Sequence, residues 1–189
     1  LVAHDSLETE VKIPVTDLDE VRAALQRARA IVTTPMAREI NLLLDTGNGR
    51  LREQGCLLRL RQYGDRGLLT FKGPAKYRGA VKERPEHETA IADLEKAREI
   101  FGNLGFTVFM TYEKDREEWL LEEYSVVLDH TPMGFFVEIE GPADGLDKTA
   151  DLIGLRTSAA VQGSYVSLWF EHRARHPELD LPNDMVFPR

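Results

Sequence analysis

A single cysteine, Cys56, stands in a chain of 189 residues, which excludes an intrachain disulfide and a cysteine-based zinc cluster. Long apolar runs are also missing. None approaches the roughly 18 residues of a membrane-spanning helix, so no membrane partner is expected. Basic residues are in deficit, 24 against 32 acids, for a net charge of −8. That surplus of acid argues against general nucleic-acid binding, although a local basic pocket stays open. Proline and glycine do not cluster into a linker, and no internal repeat is visible. No secretory signal appears, and the sequence opens without Met, which reads as a trimmed or processed start. With no disulfide framework, a reducing, cytoplasmic setting is expected. What remains is ordinary: 42% apolar and 30% charged residues, in a length that fits one domain with a real core.

Alternation of apolar and polar residues predicts strands over 8–15, 39–45, 56–62, 67–73, 79–88, 106–116, 118–121, 125–130 and 134–141. Helical spacing predicts 17–30, where Leu18, Val21, Leu25 and Ala28 share a face and Thr16 or Asp17 caps the start. A second helix is predicted over 92–104, with Leu94, Ala97, Ile100, Phe101 and Leu104 on one side. Shorter helices follow near 146–153 and 164–175. The tail from Pro177 reads as an extended arm or a partly disordered end. Many strands at hairpin spacing with few helices give a mostly antiparallel α+β domain.

The charges in these strands fall on one parity. Residues two apart share a face of a strand. Glu8, Glu10 and Lys12 are therefore co-facial, against Val11 and Ile13. The same holds for Arg59 with Arg61, Thr70 with Lys72, Lys114 with Arg116, and Glu138 with Glu140. Lys82, Arg84, Glu86 and Glu88 form a longer charged row. One wet sheet face would explain any single pair. Nearly every one of these strand centres carries Glu, Arg or Lys, however, and that points to a sheet curled into a barrel with a charged lumen. Burying both signs together is costly unless they bind ions or ligands. The apolar outer surface then needs cover, from the helices at 17–30 and 92–104 or from a two-fold homodimer.

Clustered carboxylates without His or Cys favour hard divalent ions, Mg²⁺ or Mn²⁺. Clustered Arg and Lys favour phosphate oxygens. Together they suit a metal–polyphosphate complex, so the inferred ligand is a nucleoside triphosphate, another organic triphosphate or inorganic tripolyphosphate.

An ordered set of motifs then stands out. Glu8-x-Glu10-x-Lys12 opens the chain, and the 42–61 stretch LLLDTGNGRLREQGCLLRLR carries Asp45-Thr46 and Leu58-Arg59-Leu60-Arg61. Thr70-Phe71-Lys72-Gly73-Pro74, Arg84-Pro85-Glu86-His87-Glu88 and Glu113-Lys114-Asp115-Arg116 follow. Asp129, then Gly134-Phe135-Phe136-Val137-Glu138-Ile139-Glu140, and finally Ser164-Tyr165 complete it. From about residue 7 to 168 this resembles the CYTH or triphosphate tunnel metalloenzyme superfamily, most closely its class IV adenylyl cyclases. The resemblance implies one CYTH-like domain over 1–189, an eight-stranded antiparallel β-barrel with helices packed outside, and a C-terminal helix and tail over 164–189. It implies a divalent-metal-dependent enzyme converting ATP to cyclic AMP and pyrophosphate. The alternatives are a tripolyphosphatase, an organic triphosphatase such as a thiamine triphosphatase, or a polyphosphate- or nucleotide-binding module without catalysis. By similarity, Glu8, Glu10, Glu138 and Glu140 hold metal, with Asp129 and Glu88 helping. Lys12, Arg59, Arg61, Lys72, Arg84, Lys114 and Arg116 hold the triphosphate. Glu86 binds metal or pairs with a base, and Lys82 is a further candidate.

Two departures from that pattern stand out. Many members carry Tyr just before the Asp-Thr pair, where positions 42–44 here are all Leu, and many carry Lys or Arg before Ser-Tyr, where Gln162-Gly163 stands here. Those residues are thought to serve the attacking water in triphosphatases, so their loss weakens that mechanism. Three other features read as structural. His172 and His176 lie on a surface helix without a third metal ligand, Gly47-Asn48-Gly49 is a hairpin or wide turn, and Trp119, Trp169 and Phe170 belong to core or helix packing.

Overall fold

A computed structural model describes residues 6–188. Among the described residues the order is β1 (Ser6–Val15), α1 (Leu18–Arg27), β2 (Ile31–Thr46), α2 (Arg50–Glu53), β3 (Leu57–Tyr63), β4 (Arg66–Lys72), β5 (Lys76–Arg78) and β6 (Val81–Ile91). Then come α3 (Leu94–Asn103), β7 (Phe106–Leu121), β8 (Tyr124–Thr131), β9 (Gly134–Glu140), α4 (Leu146–Leu152) and α5 (Tyr165–Arg175). Hydrogen-bonded neighbours run β1-β9-β8-β7-β2-β3-β4-β6, and β6 returns to β1 through Glu8 opposite Arg84 and Glu10 opposite Lys82. The result is a closed barrel, as the charge parity led one to expect, with the eight antiparallel strands that the resemblance implied. Closure removes the exposed sheet edges.

Three details differ from the expected pattern. The segment 118–121 is the end of β7, not a strand of its own. β2 starts at Ile31 rather than 39. Its first half was hidden because Pro35 and the register shifts between Val32 and Thr34 and between Thr34 and Ala37 break the alternation. β5 is an extra strand added to β6 outside the ring, too short to leave a periodic signal.

The amphipathic helices cover part of the outward surface, although Ile100 and Leu104, expected on the packing side of the second helix, are 53% and 66% exposed. Val11 and Ile13 of β1, with Trp119, Val126, Leu128, Val137 and Ile139, bury against Leu18, Val21, Ala24 and Leu25 of α1 and Leu146 and Ala150 of α4. Asp17 is the residue that caps α1, accepting the Asp19 backbone N–H at 2.8 Å. On the far side Leu94, Ala97 and Phe101 of α3 lie against Leu44, Leu58 and Leu60. No helix among the described residues is long and apolar enough to cross a membrane.

One end of the barrel is filled from inside. Leu43, Met110 and Phe136 share the inward parity of their strands, and they pack against Tyr165, Leu168 and Trp169 of α5. α5 is therefore a stopper, fixed by a capping box between Ser164 and Ser167. The tail runs as an extended arm along β7, where Met185 is fully buried and its backbone pairs with Thr111 and Glu113. Trp119 and Trp169 are buried as expected, but Phe170 is 40% exposed and stacks only against Arg173. It lies on the outer side of α5, opposite the stopper face. The 47–49 segment is the wide form of the expected turn and leads into the single turn of α2, where the Asp45 carboxylate accepts the Leu51 and Arg52 N–H groups and Thr46 Oγ1 accepts that of Arg50. His172 and His176 stack on the exposed flank of α5, with His176 beside Glu178.

Candidate active site

The open half of the barrel holds a cavity of about 730 Å³. Inward side chains of β1, β3, β4, β6, β7 and β9 line it, as do Ser164 and Tyr165 at the stopper. Glu8, Glu10, Lys12, Arg59, Arg61, Lys72, Lys82, Arg84, Glu86, Glu88, Lys114, Arg116, Glu138 and Glu140 all reach this one space. Of the expected site residues only Asp129 is absent from the lining, because it sits behind it, fully buried.

Strand register explains how so many charges coexist. Inward neighbours across the strands alternate in sign: Lys12 opposite Glu138, Glu8 opposite Arg84, Glu10 opposite Lys82, Lys72 opposite Glu86, Glu39 opposite Lys114 and Arg116 opposite Asp129. Such pairs stabilise a sheet, and like charges directly opposite destabilise it. One such like pair is Glu10 opposite Glu140. Enclosure in the lumen, then the Glu8 and Glu10 carboxylates, push the Glu140 carboxyl from 4.5 up to about 7, even though the residue lies exposed at the mouth.

The remaining carboxylates are held by lysines. Lys72 Nζ lies 2.6 Å from Glu8 Oε1 and 2.8 Å from Glu86 Oε2, and Lys82 Nζ lies 2.5 Å from Glu10 Oε1. Among the described residues no three acidic, histidine or cysteine side chains converge as a finished cation cage. The donors nevertheless fit a hard divalent ion. All are carboxylate oxygens, Glu8 Oε2 is buried without a partner, and Glu140 is crowded by its own kind. A cation here would displace the Glu140 proton.

That proton gives a measurable slope. A carboxyl with its folded value raised above the unfolded one binds more protons when folded, so its contribution favours folding at low pH. The contribution is lost as pH rises from about 4.5 through 7. With divalent ions chelated, the unfolding temperature of the wild type should fall over that window, and Glu140→Gln should flatten the fall. Parallel curves for the two proteins would contradict the crowded-carboxylate geometry.

The opposite wall is basic. Arg59 donates to the Tyr112 hydroxyl at 3.0 Å and to Thr70 Oγ1 at 3.3 Å. The Nε atoms of Arg59 and Arg61 are buried without an acceptor. An unmet buried donor costs about 1–3 kcal/mol, so the wall gains from an anion in the lumen. Arg84 is less available, because its guanidinium donates twice to the Gly73 carbonyl.

Behind this wall lie two carboxylates. Asp129 receives Lys114 Nζ at 3.1 Å, Arg116 Nε at 2.8 Å and Nη2 at 2.6 Å, and the Tyr165 hydroxyl at 2.6 Å. It is an anchor for bases here, with neither oxygen free. Glu138 is similarly engaged by Lys12 and Arg116, whose charges, with that of Lys114, hold its carboxyl well below the ordinary value against the cost of burial. Glu39 is the second buried anchor and was not anticipated. Burial opposes its ionisation, but Arg61, Lys114 and Arg116 overcome it and lower the carboxyl strongly. The signal was present: Glu39 and Asn41 share the inward parity of β2, but only one of the two is charged. Tyr112, co-facial with Lys114 and Arg116, was missed for the same reason.

Comparison with known proteins agrees with this geometry. The CYTH domain pattern matches residues 6–153. A Methanocaldococcus jannaschii protein provisionally named an adenylate cyclase is 30% identical over 135 residues, covering 71% of this chain and 76% of that one. A Vibrio parahaemolyticus structure with the same provisional name superposes with a TM-score of 0.78 at 22% identity, over 88% of this chain and 99% of the other. A Hippeastrum structure, described as an adenylyl cyclase by provisional name with a dominant triphosphatase activity, gives 0.67 at 16% identity, over 87% and 96%.

Proposed function

The chain belongs to the CYTH family, and from that premise we propose that it is a divalent-metal-dependent enzyme acting on triphosphates within the barrel lumen, with adenylyl cyclase-like chemistry on ATP. One observation carries the reading: a crowded carboxylate pair, Glu10 opposite Glu140, shares the lumen with Arg59 and Arg61, whose buried Nε donors lack acceptors. Glu8, Glu10 and Glu140, with Glu86 and Glu138 adjoining, would hold Mg²⁺ or Mn²⁺. When bound, the ion would neutralise phosphate oxygens and polarise the phosphoryl group. Arg59, Arg61, Lys114 and Arg116 bind the remaining oxygens, Lys12 and Lys72 add charge, and Asp129 and Glu39 keep the bases in place. Phosphoryl chemistry depends mainly on such positioning and neutralisation. In the cyclase reading, the ribose 3′-hydroxyl gives up its proton to solvent as its oxygen bonds to the α-phosphorus, while the bond from that phosphorus to the α–β bridging oxygen breaks and pyrophosphate departs.

A second reading, a tripolyphosphatase or organic triphosphatase, is favoured by a different observation. The two tyrosines of the lining are both engaged, Tyr112 with Arg59 and Tyr165 with Asp129, and neither offers a free ring to a nucleobase. One product assay separates the readings. ATP, tripolyphosphate and thiamine triphosphate are each incubated with Mg²⁺ or Mn²⁺, and cyclic AMP, pyrophosphate and phosphate are measured apart. Cyclic AMP with equimolar pyrophosphate from ATP supports the cyclase. Phosphate release without cyclic AMP supports the hydrolase. No turnover and no tripolyphosphate binding would defeat both.

A further inference from the structure

We propose that Tyr165 is a positioning residue of the lumen site, its ring holding the ammonium groups of Lys12 and Lys114 together at the stoppered end of the tunnel. The inference rests on the proposed triphosphate reading and adds to it a residue outside the CYTH-matched segment 6–153. Lys12 Nζ lies 4.3 Å from the centroid of the Tyr165 ring and Lys114 Nζ 4.8 Å. These lysines come from β1 and β7, and both line the cavity. Both ammonium groups thus lie within cation–π reach of one ring, whose quadrupole attracts each without neutralising either charge. Glu138 already holds Lys12 at 2.5 Å and Asp129 holds Lys114 at 3.1 Å, and the ring adds attraction without adding a further anion to compete with phosphate.

The ring is itself fixed on three sides. Its hydroxyl donates to Asp129 at 2.6 Å, and Phe136 meets it edge-on at 5.4 Å between centroids. The capping box of Ser164 and Ser167 sets the start of the helix that carries it. Tyr165 is 6% exposed. Burial and the neighbouring Asp129 hold its hydroxyl well above the ordinary phenol value, so it stays a donor. Lys12 and Lys114 line the cavity together with Ser164 and Tyr165, at the end that α5 closes. Space-filling alone does not require this geometry, since Leu168 and Trp169 already fill the same end.

The test compares wild type, Tyr165→Phe and Tyr165→Leu by calorimetric titration with Mg²⁺-tripolyphosphate, with unfolding temperatures measured alongside. Phe keeps the ring and loses the hydroxyl, so its affinity should stay within about threefold of wild type. Leu keeps apolar bulk and loses the ring, so its affinity should fall by about tenfold or more. A merely structural plug would lower the unfolding temperature and leave the affinities of Phe and Leu alike. The wild type alone supplies a second reading by NMR, needing no variant to fold: two lysine ε-methylene signals should be shifted upfield of the rest by the ring current. Leu binding as wild type does, Phe as weak as Leu, or no shifted lysine signals would each overturn the inference. A wild type that binds no tripolyphosphate would overturn the proposed function, and this inference with it.

Discussion

Glu140→Gln should reduce turnover on the order of 100-fold or more while leaving the fold as stable as before. The two halves of that expectation come from one geometric fact. Glu140 faces Glu10 across the β1–β9 register, and Glu8 and Glu86 add to the same negative field. Without a cation these carboxylates repel, so removing one charge relieves the barrel. With a cation the same carboxylates are its ligands, and an amide oxygen is a far weaker one. The substitution changes shape hardly at all, and among the described residues no lysine or arginine ion-pairs with Glu140 as Lys82 does with Glu10. Mn²⁺ titration by calorimetry and a thermal melt decide the matter together. Lost Mn²⁺ binding with an unchanged or raised unfolding temperature is the expected result. Unchanged Mn²⁺ affinity would remove Glu140 from the cation site and leave the carboxylate assignment without its central member.

The barrel could be read from the chain because its lumen is written at period two. Lys12, Arg59, Lys72, Arg84, Lys114 and Glu138 each stand on the inward parity of an alternating strand, and the closed sheet brings every one of them into a single cavity. Where alternation is interrupted, legibility stops. Pro35 and two register shifts concealed the first half of β2, and the three residues of β5 are too few to show a period. The pairing within the lumen was less visible, since which charge meets which depends on register rather than on parity. Asp129 illustrates this. Its motif suggested a metal ligand, but its place opposite Arg116, with Lys114 and Tyr165 closing in, makes it an anchor for bases. Glu39 was passed over because its strand shows a single inward charge, and only the folded sheet sets it beside Arg61, Lys114 and Arg116. The stopper, too, depends on contacts between distant segments: Leu43 packs with Tyr165 and Leu168 of α5.

Those register-dependent contacts divide the arginines, which parity alone would treat as equivalent. Arg116 lies 2.6 Å from Asp129 and 2.5 Å from Glu138, and 3.8 Å from Glu39, all three of them buried. Arg116→Ala leaves that buried negative charge short of its main partner, a class of change that costs about 3–5 kcal/mol. Arg59 has no such creditor among the close acids: its hydrogen bonds go to Tyr112 and Thr70, and Glu88 is 3.7 Å away and partly open to solvent. Its charge also repels Lys72. Arg59→Ala should therefore change stability little and weaken tripolyphosphate binding by about 1.5–3 kcal/mol, the loss of a charged hydrogen bond to phosphate. Urea unfolding reads the first difference and calorimetric titration the second. An Arg116→Ala protein as stable as wild type would show that the anchoring carboxylates do not depend on it. Unaltered tripolyphosphate affinity in Arg59→Ala would mean that this guanidinium does not face the anion, and the basic wall would lose its assigned ligand.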